Sequence, residues 1–273
     1  TWNLESADDI SECFAFNRSL EHIDISTWHL PKATCVLQLF LYSEGLKTVN
    51  VCNLTESPDV TDLSGIFNGC HQLEYIYGLD KWNIEQVENI SEIFCNCVRL
   101  KNLDDIKNWD TSNVSNFYYA FGNCYSIGTI DLSNWDFSSA SDVDSMFGMG
   151  EHYGEWCDGT CFDFTDENLT AITVDLSTLN LSNITLDYGS MFETEEGYEL
   201  INNIIVRNTN VSSLNKVIEH LYDRNNNTPG SIYVDGVTNL VFANYIPAVE
   251  KNWKFYIENE EVDFDLLVPE NVI

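Results

Sequence analysis

Residues 114–137 read VSNFYYAFGNCYSIGTIDLSNWDF, and versions of this segment recur along the chain, which indicates a repeat fold. Its second half places Ile127, Ile130, Leu132 and Trp135 in the L-x-x-L-x-L-x-x-N-x-L pattern of a leucine-rich repeat, with tryptophan where asparagine or cysteine is usual. The alternation around Ile130 and Leu132 predicts a short strand with one buried face and one solvent-facing side.

The first half of the same stretch carries apolar residues at helical spacing. Val114, Phe117 and Phe121 occupy positions i, i+3 and i+7, which predicts a short helix or turn on the opposite side of the unit. Serine and asparagine side chains ahead of them can cap such a turn. The same spacing predicts a regular helix over residues 213–222, with Leu214, Val217, Ile218 and Leu221 on one face.

These residue types return at a nearly constant step, which we call the repeat length. It is roughly 27 residues, inside the range of leucine-rich repeats. Such a period is typical of one supersecondary unit that is copied along an axis and buries its apolar face against its neighbours. The phenylalanines and cysteines keep the step, and the tryptophans keep it with one position skipped: Phe14, Phe40, Phe67, Phe94, Phe121, Phe147, Trp28, Trp82, Trp109, Trp135, Cys70, Cys97 and Cys124.

We therefore predict an α/β solenoid, a single curved leucine-rich-repeat array of about nine rungs. One parallel sheet is expected on the concave face, and short helices or turns on the convex face. We expect burial of Phe67, Phe94, Phe121, Trp109, Trp135, Leu132 and Cys124. The inward strand residues are expected at Ile23/Ile25, Val49/Val51, Ile76/Leu79, Leu103/Ile106, Ile130/Leu132, Val174/Leu176, Ile204/Val206, Ile232/Val234 and Phe255/Ile257.

The array is predicted to span residues 1–258, with one insertion and a cap. Rung spacing is regular as far as Leu132 and then jumps to Leu176, which indicates an insertion loop at about residues 150–170. A C-terminal cap is expected at about residues 240–258, because an open end would expose core. Residues 259–273 are acidic and depart from the repeat, so we predict a tail or linker there.

The charge of the chain restricts its partners. A net charge of -32 disfavours nucleic acids and anionic membrane surfaces, since like charges repel at contact. The same charge suits an exported protein that meets basic partners or cations, and it also suits simple solvation of a long surface. In keeping with this charge, we expect an extracellular or cell-surface monomer. Its signal or anchor is expected outside this chain, because no stretch is apolar enough to cross a membrane and no leader begins at Thr1.

Nine cysteines cannot all pair within one monomer. Cys70, Cys97 and Cys124 occupy one repeat position and should point the same way, whereas a disulfide requires facing Cβ vectors. We expect these three to be reduced, buried apolar residues. Cys157 and Cys161 are the one pair that we consider for a disulfide.

Several segments resemble the BspA-like leucine-rich-repeat family of bacterial surface proteins, whose units read roughly LDLSNWDTSNVTDMSYMFSGCSSL. The resemblance is carried by residues 131–136, 108–114, 146–147, 121–124 and 67–70. It covers residues 10–148 closely and residues 170–258 loosely. Members of that family are chiefly exported adhesins of host-associated microbes. The resemblance implies the predicted fold and a role in adhesion, and it names no ligand for this chain.

No pattern in the chain favours an enzyme. The five histidines are scattered, without an H-E-x-x-H motif or a zinc-binding spacing. There is no G-x-S-x-G elbow and no phosphate-binding glycine loop. Carboxylate pairs must arise by chance among 44 acidic residues, so they do not indicate a glycosidase. We predict no catalytic residues, no metal and no cofactor.

The outward residues of the strands are the candidate ligand-binding residues. Asp104, Asp131 and Asp175 share the outward position, where a basic partner or Ca²⁺ could relieve their repulsion, although plain hydration also accounts for them. Exposed tyrosine is enriched at binding hot spots, which favours Tyr75, Tyr77 and Tyr233 as anchors. The predicted insertion adds Tyr153 and Trp156, because long excursions inside compact units are frequently functional.

The predicted function is non-catalytic adhesion or recognition. In this interpretation the concave face and the loop at residues 150–170 bind an extracellular host or matrix protein, or a glycan. The alternative is a structural or assembly component, such as a cell-envelope or virion spacer, in which the repeats set only the shape.

Overall fold

In this computed structural model the chain forms short strands joined by turns, with few helices. The residues described are 2–150, 171–179, 181, 190–192, 194, 200–224, 228–238, 240 and 243–263. The predicted insertion at residues 150–170 lies almost wholly outside them, as do Tyr153, Trp156, Cys157 and Cys161.

The regular elements follow one another in the order of the predicted rungs. The strands are β1 (His22–Asp24), β2 (Thr48–Asn50), β3 (Tyr75–Tyr77), β4 (Thr129–Asp131), β5 (Ile172–Asp175), β6 (Ile201–Ile205), β7 (Gly230–Tyr233), β8 (Trp253–Ile257) and β9 (Glu260–Glu261). The helices are α1 (Val211–Glu219) and α2 (Ile246–Glu250), with 3₁₀ helices at Leu79–Lys81 and Asp104–Ile106.

Strands from successive units pair in parallel, and their order in space is their order in sequence. β1–β3 form one sheet and β4–β9 another. Inward residues pair with inward residues: Ile23 with Val49 and Val49 with Ile76 in the first sheet. The same holds for Ile130 with Val174 and onward to Phe255 in the second sheet. In the three-residue strands β2, β3 and β4 this register buries the central side chain and leaves its two neighbours outside the core.

The sheet is interrupted between β3 and β4, so the described strands form two sheets where one was expected. The strand expected at Leu103/Ile106 is instead a 3₁₀ helix at Asp104–Ile106. The side-chain oxygen of Asn102 accepts the backbone N–H of Asp104 at 2.8 Å, so a local turn takes a donor that a strand would use in the ladder. Leu103 and Ile106 nevertheless stay buried, as predicted.

The segment that contains Val114, Phe117 and Phe121 runs through consecutive turns and forms no helix. Alternate N–H groups of one unit donate to carbonyls of the next: Glu92 to Tyr118 at 2.8 Å and Phe94 to Ala120 at 3.1 Å. The backbone is thus satisfied between units, where a helix would satisfy it internally. The helix predicted over residues 213–222 is confirmed as α1, with Asn210 accepting from the N–H of Ser213.

Aromatic rings form continuous columns through the core. Seven phenylalanines stack in sequence, with ring centroids 5.3 to 5.9 Å apart: Phe14, Phe40, Phe67, Phe94, Phe121, Phe147 and Phe192. Beside them, the indole N–H of Trp109 donates to the Leu79 carbonyl at 3.1 Å and that of Trp135 to Ile106 at 2.9 Å. Burial of all seven predicted core residues is confirmed.

Thiols and amides form two further columns. The thiols of Cys70, Cys97 and Cys124 each lie 3.2 Å from the carbonyl of a phenylalanine about one unit earlier in the chain. The three are buried and free, as predicted, and burial raises the pKa of Cys124 to about 12. Asn68, Asn96 and Asn123 are linked amide to amide, at 3.3 and 2.8 Å.

The C-terminal end of the stack is covered by an antiparallel strand. β9 pairs with β8 inside the segment expected to be a tail, and the Val262 N–H donates to the Phe255 carbonyl at 2.8 Å. Lys254 also pairs with Glu261 at 2.7 Å. A turn at Glu258 and Asn259, both with positive φ, reverses the chain at that point.

Candidate recognition surface

The outward side chains of β1 to β8 form one type of surface, which we call the outer strand face. Its rows follow from the register: His22, Thr48 and Tyr75 lie side by side, and the next row continues with Asn50 and Tyr77. His22 Nδ1 lies 2.7 Å from the Thr48 hydroxyl. The face is therefore continuous and polar up to the two tyrosines of β3.

Tyr75 and Tyr77 are the exposed aromatic pair of this face. They are 38 % and 54 % exposed, and their rings stack with centroids 6.3 Å apart. The Lys101 ammonium lies 5.4 Å from the Tyr75 ring centre and also pairs with Glu74 at 2.5 Å. The outward position predicted from alternation is confirmed. The Tyr75 ring face thus already holds one cation.

A row of alternating charge borders the outer strand face. Glu21, Lys47, Glu74 and Lys101 each stand one residue before the strand position of their unit, one repeat length apart. Lys47 pairs with Glu21 at 2.8 Å, and Lys101 pairs with Glu74. The hydrogen bond between the second pair raises the pKa of Lys101 and holds the pKa of Glu74 below its usual value. This row was not among the predicted features, although the alternation is visible when the sequences of the units are aligned.

The acidic centre of the face is smaller than predicted. Asp131 and Asp175 pair in register on β4 and β5, whereas Asp104 lies in the 3₁₀ helix between the two sheets. Lys107 donates to Asp131. The pKa of Lys107 is raised chiefly by that hydrogen bond, and the charges of Asp175 and Asp104 raise it further. The chain's own lysine thus supplies the screening that three carboxylates require.

The pKa of Asp131 shows how these contacts balance. Partial burial raises it, but the hydrogen bonds from Lys107 and Ser133 outweigh burial and leave the pKa below its usual value. Asp105 behaves oppositely: burial, with Asp80 and Asp104 nearby, raises its pKa. The two carboxyls differ because Lys107 bonds to Asp131, whereas the charged neighbours of Asp105 are the carboxylates Asp80 and Asp104.

A second aromatic pair lies on the other sheet. Tyr233 of β7 pairs in register with Tyr256 of β8, and their rings lie 5.6 Å apart. Arg207 lies 5.4 Å over the Tyr233 ring and pairs with Asp235 at 2.6 Å. Tyr256 was not among the predicted residues, although it lies between the inward residues Phe255 and Ile257 and the alternation therefore identifies it as outward. Each tyrosine pair carries one basic side chain on a ring face.

The structure brings some predicted site residues together and separates others. Asp131, Asp175 and Tyr233 lie on one sheet, with β4 and β7 about 14 Å apart at the usual strand spacing. Tyr75 and Tyr77 lie on the other sheet, and Asp104 lies between the sheets in sequence. Tyr153 and Trp156 fall outside the described residues.

The outer strand face offers aromatic ring faces, carboxylates and bordering ion pairs. Within the described residues, no three His, Cys, Asp or Glu side chains are placed to hold a metal ion. No described helix is long and apolar enough to cross a membrane.

Comparison with known proteins gives one family and no individual relative. No curated protein and no solved structure matches the chain. A family model matches residues 1–74 and again residues 61–156, which together cover 156 of the 273 residues. The matched part contains β1 to β4 and the recurring phenylalanines up to Phe147. The chain therefore belongs to the family described as Mycoplasma protein of unknown function, DUF285.

Proposed function

We propose that this chain is a non-catalytic, surface-displayed recognition protein that binds a partner protein on its outer strand face. The observation that carries the proposal is the exposed, stacked pair Tyr75 and Tyr77, which lies beside the polar outward residues Thr48 and Asn50 of β2. Exposure of an aromatic ring to water is unfavourable, and a partner that covers the ring gains the free energy of burying that surface.

We further propose that the units build one curved solenoid, with the outer strand face on its concave side. Parallel pairing in sequence order and the unbroken phenylalanine column from Phe14 to Phe192 support this arrangement. A solenoid presents an extended surface in which each unit adds one row. An elongated partner segment suits such a surface better than a small molecule does.

The proposed partner is basic. The chain carries 44 acidic and 12 basic residues, and several basic side chains are held in ion pairs, as Lys47, Lys101, Lys107 and Arg207 are. Both tyrosine pairs already hold a cation over a ring. Lysine or arginine side chains of a partner would find the same combination of ring face and carboxylate.

The BspA-like resemblance supports display outside the cell and a host or matrix protein as partner. In this proposal the loop at about residues 150–170 contributes Tyr153 and Trp156 to the same contact. A glycan that stacks on the tyrosines is a second ligand class. The structural alternative, a spacer, is supported by the buried columns of phenylalanine and asparagine, which stiffen an array whatever it binds.

The test compares Tyr75→Ala/Tyr77→Ala with Phe16→Ala, which removes a 54 % exposed ring from a turn. Probes are an immobilised oligolysine peptide, an oligoglutamate peptide of equal length, and panels of matrix proteins and glycans. We expect binding to oligolysine and to a basic matrix protein, weakened about tenfold or more by the tyrosine double variant and unchanged in Phe16→Ala. Equal binding by all three proteins contradicts the proposal. Absence of any bound probe favours the spacer.

A further inference from the structure

The N-terminal end of the stack carries an open cavity of about 430 Å³. Its apolar walls include Trp2, Phe14, Ile23 and Trp28, and Asp24 lies at its side. Within the described part of the chain, β1 pairs with β2 on one side, and its other edge has no strand beside it. The backbone groups of that edge can therefore accept another strand.

The side chains at this N-terminal end are less buried than their equivalents in the inner units. Phe14 and Ile23 are only partly buried, whereas Phe40 and Val49, their equivalents one unit later, are 0 % exposed. The residue types are alike, so the difference comes from the neighbour that covers the inner units from the N-terminal side. The cavity marks the place where that neighbour would lie.

The repeat itself indicates what fits the cavity. The sequence Thr-Trp-x-Leu at Thr1 to Leu4 returns one repeat length later at Thr27 to Leu30. Trp2 is 69 % exposed and stacks on Trp28 with centroids 5.5 Å apart and an interplanar angle of 19°. Trp82 and Trp109 of successive inner units stack similarly, at 5.8 Å and 8°. Trp2 thus holds the position of the tryptophan of one more unit.

The opposite end of the stack is closed. β9 covers β8 in antiparallel orientation, and its Glu260 and Glu261 place charge on the new edge. Charged, short edge strands discourage further pairing. A head-to-tail second copy would have to bring this covered end, with like net charge, to β1.

We propose that the N-terminal edge is a docking surface for one more unit of the same repeat, lying parallel to β1. Its inward strand residues would fill the cavity between Phe14 and Ile23, and its tryptophan position is supplied by Trp2. The proposal continues the interface that already joins every pair of inner units. It does not depend on what the outer strand face binds.

The test joins a copy of residues 108–133 directly before Thr1, which sets the copied Trp109 one repeat length ahead of Trp2 and therefore in phase. The matched control carries Ile130→Asn and Leu132→Asn in the copy only. We expect the fusion with the unaltered copy to have a melting temperature roughly 4 °C or more above that of the control, since each docked unit adds an interface. Acrylamide quenching of Trp2 is taken as the difference between each protein and its Trp2→Phe variant. This quenching should fall in the fusion with the unaltered copy and not in the control fusion.

Two results would overturn this assignment. One is equal melting temperature and equal Trp2 quenching in the fusion and its control. The other is a concentration-dependent dimer of the unfused chain that buries Trp2 and dissociates on Ile23→Lys, because a second copy would then be the occupant.

Discussion

Asn96 illustrates how a buried polar side chain is stabilised by repetition. It is 9 % exposed, donates to the Asn68 side chain at 3.3 Å and accepts from Asn123 at 2.8 Å. The column ends where the Tyr125 hydroxyl and the Gly150 N–H donate to Asn123. Each amide therefore finds partners that no single unit could supply, and a buried amide without partners is costly.

Replacement of Asn96 should separate the cost of losing its hydrogen bonds from the cost of a side chain at a positive φ. Asn96→Ala removes the donor to the Asn68 side-chain oxygen and the acceptor of the Asn123 side-chain N–H, and it places a nonpolar residue with a Cβ at φ 59°, so we expect a loss of about 3 kcal/mol of unfolding free energy. Asn96→Gly loses the same hydrogen bonds but tolerates that backbone angle, and should be about 1 kcal/mol less destabilised than the alanine variant.

Urea unfolding measures both variants of Asn96, with Asn113→Ala as the control. Asn113 is exposed and donates only to the Glu85 carbonyl in the contacts described, so its loss should cost well under about 1 kcal/mol. Similar stability of all three variants would show that the asparagine column contributes nothing.

At the scale of elements, the strands are too short to align themselves by backbone pairing alone. β1 to β3 have three residues each, and shifting one by a single residue would turn its core side chain outward. The row Glu21, Lys47, Glu74 and Lys101 adds a second register signal, because only the observed alignment sets unlike charges side by side.

Charge reversal tests that role. Lys47→Glu would place three carboxylates in a row between β1 and β3, and we expect a lower melting temperature at low salt, a loss that shrinks as NaCl screens the charges. Lys32→Glu, at an exposed position, changes the net charge equally and is the matched control. Equal melting-temperature losses in the two variants, or a loss insensitive to salt, would contradict the prediction.

At the scale of the whole molecule, a net charge of -32 must be dispersed or screened. The outer strand face screens part of it internally, since Lys107 is bonded to Asp131 and feels Asp175 and Asp104. Paired aspartates at strand spacing also fall short of the six to eight oxygens that Ca²⁺ prefers.

We therefore expect Ca²⁺ and Mg²⁺ to raise the melting temperature equally and modestly at fixed ionic strength. Lys107→Gln should melt lower and respond more strongly to both ions, because it leaves Asp131 and Asp175 unscreened, whereas Lys32→Gln should respond as the unmodified chain does. A thermal titration reads both effects. A saturable gain with Ca²⁺ that Mg²⁺ does not reproduce would refute the expectation of no metal site.

The outer strand face could be predicted only in part. Alternation identified Tyr75 and Tyr77 as outward residues, because a strand exposes every second side chain whatever surrounds it. It failed for Asp104, where the Asn102 side chain competes for the backbone. Alternation also could not predict the side-chain positions of Lys107 and Arg207, because each forms an ion pair with an aspartate of the next unit.

The period, the inward residues and the order of the units follow from the amino-acid sequence alone, since each depends on side-chain types that recur once per repeat length. How the backbone between these residues is satisfied depends on contacts between units. Val114, Phe117 and Phe121 suit a helix and a run of turns equally well. The turns prevail because the next unit lies close enough to accept alternate N–H groups, as Tyr118 does from Glu92. That choice depends on contacts between units, which local spacing does not encode.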